Sequence, residues 1–174
     1  MNHSNQYQIV AANSSHYDGI LRLVTSPEEL YLVYPSGTWP FDTAQLSQLS
    51  KERSDFTVVL DRERIIGFAN LYGNLSGDKL FIGNVVISDA YRSQGIGKRL
   101  IRHMCDIIFN RYAPEVHISV FNFNIPALLL YASLGFRPYD LEQRSLPDGK
   151  ISVLIHMCLY RRTWQDNNTN LRSV

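Results

Sequence analysis

Three β-type segments follow one another in this chain with nothing but turns between them: Phe56 to Leu60, Ile65 to Leu75, and Lys79 to Ser88. The separators are the polar run Asp61-Arg62-Glu63-Arg64 and the turn Gly77-Asp78. Connections this short can only fold a strand back on its neighbour, because parallel strands need a crossover of about a dozen residues or more. The three segments therefore predict an antiparallel meander. A strict alternation of strand and helix is excluded, and with it a doubly wound nucleotide-binding sheet.

The flanking segments complete the pattern. Tyr7 to Ala12 predicts a first strand, and Asn13 offers an N-cap to Tyr17, Ile20, Leu21 and Val24 at helical spacing. Ser26-Pro27-Glu28-Glu29 predicts a short helix, broken by Pro35-Ser36-Gly37. Asp42 starts a further helix to about Arg53, with Phe41 and Leu46 spaced as a hydrophobic staple. After the meander, Gln94 to Asn110 predicts a long amphipathic helix with Ile96, Leu100, Met104 and Ile108 on one stripe. Val116 to Phe121 predicts a strand, Pro126 to Leu134 a helix stopped by Gly135, and Phe136 to Arg144 with Ile151 to Tyr160 a closing hairpin. The expected fold is α/β (α+β): a mixed, mainly antiparallel central sheet with helices on both faces. At 174 residues and 45% hydrophobic composition, one domain over residues 1–162 is expected, followed by a polar, loosely held tail over 163–174.

Charge and special residues narrow the function classes. Seventeen basic residues against 16 acidic ones give a net charge of +1, low for a nucleic-acid coat. Cys105 and Cys158 are too few for a disulfide scaffold and read as small buried hydrophobes. His3, His16, His103, His117 and His156 form no HExxH and no zinc spacing with the cysteines, so no metal is expected. No apolar run is long enough to span a bilayer, and Met1 to Gln8 has no signal-peptide core. The expectation is a cytoplasmic protein with neither membrane nor nucleic-acid partner.

The most informative segment is Asn84 to Leu100, NVVISDAYRSQGIGKRL. A strand ends, and Gly95-Ile96-Gly97 opens a helix whose first amides have no intrahelical partners. Those amides and the helix dipole make an anion site, and Arg92, Lys98 and Arg99 add positive charge. A phosphate or pyrophosphate suits it, although an ordinary glycine-rich helix start would read the same. The GxxxxGK[ST] loop fails because Arg99 follows Lys98, and Leu100 stands where GxGxxG needs glycine.

A second segment, Val120 to Phe136, reads VFNFNIPALLLYASLGF. Asn124 can cap the helix after it. Tyr131 either packs at the helix edge or presents its hydroxyl to a ligand. A phenol with its usual pKa of about 10 stays protonated at neutral pH and can act as a general acid.

Together the two segments resemble the GNAT superfamily of acyl-CoA-dependent N-acetyltransferases. Arg92-Ser93-Gln94-Gly95-Ile96-Gly97 matches that family's [RQ]xxGx[GA] signature, and Asn124, Ala127, Leu130, Tyr131, Gly135 and Phe136 match NxxAxxLYxxxGF. The resemblance implies acetyl-CoA as cosubstrate and transfer of its acetyl group to a primary amine of a small molecule or peptide by direct attack. Backbone amides from Arg92 through Gln94, Gly95, Ile96 and Gly97 to Lys98 would hold the pyrophosphate. Val85, Val86 and Ile87 would pair with the pantetheine arm, an amide near Val86 would stabilise the oxyanion, and Asn124 would support the arm. Tyr131 would protonate the leaving thiolate. The family's splayed strands correspond to Lys79–Ser88 and Val116–Phe121.

One departure stands out. The family often carries a carboxylate on the strand before the glycine loop, where this chain has Phe81-Ile82-Gly83-Asn84. Asn84 can position a water but cannot be the base. His117, Glu28, Glu29 and Asp55 stay open as bases, and the gap motivates an alternative, an acyl-CoA-binding sensor without turnover. On the acceptor side Tyr31, Tyr34 and Trp39, with Tyr72 from the meander, form either core packing or an aromatic wall suited to a cationic or apolar amine. The long apolar strand Ile151 to Tyr160 suggests an edge contact and a homodimer.

Overall fold

The computed structural model describes residues 7–73 and 79–170. The expected Gly77-Asp78 turn, the end of the second meander strand at Leu75, and the last four residues lie outside them. The chain divides into two compact units, Met1–Tyr72 with Ile82–Met104, and Gly73–Phe81 with Cys105–Val174.

In the first unit, β1 (Tyr7–Ala11) pairs antiparallel with β2 (Ser54–Asp61), Tyr7 opposite Asp61 and Ala11 opposite Thr57. β2 pairs antiparallel with β3 (Arg64–Gly73), as the short polar turn requires. β4 (Leu80–Ile87) lies beside β3. Residues Ile66 through Leu71 of β3 are buried without alternation, so both faces of this strand are covered.

Three helices stand between β1 and β2: α1 (Tyr17–Leu21), α2 (Pro27–Val33) and α3 (Thr43–Glu52). Asn13 caps a 3-10 turn, Ser14–His16, just ahead of α1. Ser26 accepts from the Glu29 amide and Asp42 from the Gln45 amide, the caps expected from sequence. These helices place Ile20, Leu46 and Leu49 against Val58, Phe68 and Val86. Each such side chain contributes roughly 1.5–3 kcal/mol by leaving water.

α4 (Ile96–Arg111) follows β4 and buries Ile96, Leu100, Met104 and Ile108, the stripe read from the sequence. The second unit then runs β5 (Glu115–Phe121), α5 (Ile125–Leu134), β6 (Arg137–Ser145), β7 (Ile151–Tyr160) and α6 (Arg161–Asn170). α5 ends where Gly135 turns left-handed at φ +101°. β7 pairs antiparallel with both β5 and β6. The seven strands and their antiparallel registers match the expected fold class.

Two expectations change. β7 is an inner strand, so its apolar length serves pairing on both sides rather than an edge contact; the outer strand is β6, which exposes Tyr139 and Leu141. Residues 163–170, expected to be loosely held, lie in α6, and Trp164 there is 5% exposed, its indole N–H donating to Asp106 at 2.9 Å. Cys105 and Cys158 are both buried. Among the described residues, no helix is long and apolar enough to cross a membrane.

Candidate functional site

β4 delivers the chain to the glycine loop. Val86 points into the core while Val85 and Ile87 are half-buried, and Ser88 N–H donates to the Ile66 carbonyl at 2.8 Å. The loop then turns twice through the left-handed region, at Ser93 (φ +61°) and Gly95 (φ +77°). Such alternation converges successive N–H groups into an anion-binding concavity. A Cβ built on Gly95 meets nothing within 4 Å, so glycine is required there by its backbone angle and not by crowding.

The first intrahelical bond of this helix start joins the Arg99 amide to the Gly95 carbonyl at 3.1 Å. The N–H groups of Ile96, Gly97 and Lys98 therefore have no acceptor within the helix and sit at its positive end. The basic cluster is less available than its sequence suggests. Arg92 is held by Asp89 at 2.7 Å and donates from Nε to the Ile87 carbonyl, and Glu29 lies 3.9 Å away. Arg99 donates to the Tyr7 carbonyl at 3.2 Å. Among the described residues, only Lys98 of the three lacks a side-chain partner. Gln94 receives the Tyr7 hydroxyl at 3.1 Å and donates to the Ala90 carbonyl.

Asn124, in the second unit, caps α5 by accepting from the Ala127 amide at 3.3 Å. Seven residues on, Tyr131 is 5% exposed and packs on Phe136 with ring centroids 6.0 Å apart. Burial pushes its hydroxyl above the usual phenol range, and no neighbouring charge or hydrogen bond contributes to that shift. The group stays protonated at neutral pH and has a proton to give.

The tentative acceptor residues divide. Asn84 is 5% exposed and left-handed at φ +50°. Its Oδ1 accepts from Arg53 Nη1 at 2.7 Å and from Asn70 Nδ2 at 2.8 Å, and its Nδ2 donates to the Val33 carbonyl at 2.6 Å. The Arg53 guanidinium lies 4.5 Å from the Tyr72 ring centre and 5.7 Å from that of Tyr34. Tyr34, Tyr72 and Asn84 are thus gathered around one cation that the sequence reading did not single out. Tyr34 also packs on Phe41. Trp39 is exposed, and neither it nor Tyr31 stacks on that cation.

The base candidates are largely committed elsewhere. His117 is 3% exposed, with Nδ1 at 3.1 Å from the Tyr139 hydroxyl and Nε2 at 3.0 Å from Glu115. Glu29 accepts from the amide and hydroxyl of Thr25, both at 2.8 Å. The strand register adds two groupings that linear spacing conceals. His117 stands opposite Cys158, so one ligand atom each from Glu115, His117 and Cys158 falls within 4.8 Å of the others. Burial pushes the Cys158 thiol up to about 11, and it stays protonated at neutral pH. Ser119 stands opposite His156, its hydroxyl 2.8 Å from Nδ1, while Nε2 lies 3.2 Å from Glu142.

Residues 22–136 match the family model described as the acetyltransferase (GNAT) family. The chain is 32% identical over 97 residues to streptothricin acetyltransferase from Streptomyces lavendulae, covering 53% of this chain and 51% of that protein. It is 29% identical over 80 residues to the ribosomal protein bS18-alanine N-acetyltransferase of Escherichia coli strain K12, covering 45% and 54%. The chain spans about half the length of the curated relatives it matches. A GNAT family acetyltransferase from Elizabethkingia anophelis with acetyl-CoA bound superposes with a TM-score of 0.64 at 18% identity, covering 90% of this chain and 99% of that one. At that identity the likeness is one of fold.

Proposed function

Because this chain belongs to the acetyltransferase (GNAT) family, we propose that it transfers an acetyl group from acetyl-CoA to a primary amine of a small molecule or peptide. The observation that carries the reading is the doubly left-handed loop at Ser93 and Gly95, opening onto the unpaired amides of Ile96, Gly97 and Lys98. That cradle, with Lys98 as its available cation, fits a pyrophosphate. The Elizabethkingia structure has acetyl-CoA bound. The two relatives described above are named acetyltransferases, which supports turnover over a role limited to binding.

Acetyl-CoA supplies an activated thioester. Loop amides from Ser93 to Lys98 hold its pyrophosphate; the Arg92 amide already donates to the Asp89 carbonyl at 3.2 Å. Val85, Val86 and Ile87 align the pantetheine arm, and the Val86 amide donates to the developing oxyanion. Asn124 fixes the start of α5 and thereby the position of Tyr131. As the amine attacks and the C–S bond breaks, Tyr131 gives its proton to the departing thiolate; the proton shed by the amine nitrogen passes to solvent, from which Tyr131 is reprotonated. Binding both reactants side by side converts a bimolecular encounter into an effectively unimolecular step. Two buried thiols fit a reducing, cytoplasmic setting.

The deciding experiment pairs calorimetric titration with acetyl-CoA and a free-thiol assay over amino acids, peptides, polyamines and antibiotics. Micromolar binding with amine-dependent thiol release is expected. Absence of acetyl-CoA binding sinks the reading, and binding without thiol release for any amine returns the chain to a sensor role.

A further inference from the structure

Arg53 carries a charge that no acid among the described residues meets in an ion pair; exposed Glu52 acts on it only through space. It sits at the C-terminal end of α3, with its guanidinium among α2, β3 and β4. Burial lowers its pKa from the usual value, a sign that the charged form has lost solvent there. Its contacts are neutral: Nη1 donates to Asn84 Oδ1 at 2.7 Å and to Asn70 Oδ1 at 3.3 Å, and the rings of Tyr72 and Tyr34 flank it. The neighbouring acid, Glu52, is exposed and accepts from Gln48 at 2.8 Å instead. Among the described residues, neither Nε nor Nη2 of Arg53 donates to an acceptor. A desolvated cation costs free energy unless an anion meets it.

The surroundings are shaped for this group. A Cβ on Gly83 would stand 2.6 Å from Arg53 Nη1 and 2.6 Å from the Tyr72 ring, so any larger residue there would push the guanidinium or the ring aside. Asn70 is fully buried and Asn84 nearly so; each presents its oxygen to Nη1, which fixes the plane of the fork. One edge of the guanidinium is thus anchored, and the other makes no hydrogen bond to the described residues. Such an edge matches a carboxylate, which a guanidinium takes through two parallel hydrogen bonds.

We infer that Arg53 binds a carboxylate of the acceptor, so that the acceptors of this protein are amino-carboxylates such as free amino acids. This rests on the transferase reading above and names its substrate class. Asn84 stands two residues before Val86, at most about 7 Å along a strand, which keeps the guanidinium it holds close to the strand segment assigned above to the thioester. Where the family often keeps an acid on this strand, the chain has Asn84 holding a cation.

The test uses L-amino acids and the matching amino-acid amides, which keep the amine and lose the negative charge. Binding is read from the Arg53 Nε–H resonance of 15N-arginine-labelled protein, and turnover from thiol release. The acids should shift the Arg53 resonance and their amides should not. With the best substrate, the acid should exceed its amide by about tenfold or more in kcat/KM, the size of one charge-assisted hydrogen bond. Arg53→Met should erase that ratio through KM while acetyl-CoA affinity is kept, and Arg53→Lys should restore part of it. Equal shifts from acid and amide, or no Arg53 shift from any acid, overturn the inference. So does an Arg53→Met protein that melts earlier but keeps the ratio, which would make Arg53 a structural tie. Should Arg53→Met fail to fold, the wild-type resonance and Arg53→Lys decide the matter. Acid-specific shifts without thiol release from any amine would fail the transferase reading and leave the carboxylate site standing.

Discussion

Arg53 donates a 2.7 Å hydrogen bond to Oδ1 of Asn84, which lies 31 positions later in the chain. The same oxygen accepts from Asn70, and the amide end of Asn84 holds the Val33 carbonyl. One side chain thereby joins the end of α2, the end of α3, and strands β3 and β4. Asn84→Ala leaves three polar groups short of a partner and should cost ~2 kcal/mol or more in urea unfolding. Because Asn84 is left-handed, Asn84→Gly should be milder by about 1 kcal/mol; equal losses would mean that the backbone angle contributes nothing.

Tyr131→Phe removes the proposed proton donor without changing the ring that packs on Phe136. A drop of about 100-fold in kcat is expected, the lower end of what general acids supply. Acetyl-CoA affinity by calorimetry should stay within about threefold. Unchanged turnover would remove the acid role.

The raised Tyr131 pKa also predicts an alkaline weakness. In the unfolded chain this phenol ionises at about 10; in the fold burial holds its proton to higher pH. Between those values the native state binds more protons than the unfolded state, so stability falls as pH rises. Melting temperature should decline above about pH 10, and Tyr131→Phe should decline less steeply. Cys158, raised to about 11 from 9.0 by burial, adds to the slope in the same direction. Parallel curves for wild type and Tyr131→Phe would contradict the account.

Gly95→Ala isolates backbone conformation from bulk. The new methyl meets nothing, so the loss comes from φ +77° alone, roughly 1–2 kcal/mol. Acetyl-CoA affinity should fall with it, and Gly95→Asn, which tolerates the left-handed region, should keep more of both. An Ala variant with native affinity would show that the loop reaches its shape without glycine.

Trp164 tests how firmly α6 is attached. Trp164→Ala should cost about 3 kcal/mol by cavity formation, and Trp164→Phe about 1 kcal/mol for the lost bond to Asp106. A melting temperature unaffected by Trp164→Ala would mean that the helix adds nothing to stability.

The strands and caps were legible because they depend on near neighbours. Ser26 and Asp42 reach amides three residues on, and the β2–β3 turn is set by four consecutive polar residues. The glycine loop was legible for the same reason, its unpaired amides following from a helix start. Arg53 was not: as a basic residue ending a polar helix it looks solvated, and only pairing with Asn70 and Asn84, 17 and 31 residues away, turns it inward. Charge counting also cannot tell that Arg92 and Arg99 touch Asp89 and Tyr7. The inner position of β7 was hidden likewise, since strand order is set by non-local pairing.

Tyr7 touches the anion loop and the helix behind it at once, through its hydroxyl on Gln94 and its carbonyl under Arg99. The opening strand therefore braces the loop proposed to hold acetyl-CoA, though it carries no motif. Trimming the chain to begin past Ala11, or fusing a bulky tag directly ahead of Tyr7, should raise the dissociation rate of acetyl-CoA with every loop residue intact. Kinetic constants compared between differently tagged preparations would then differ for a reason found nowhere in the signature itself.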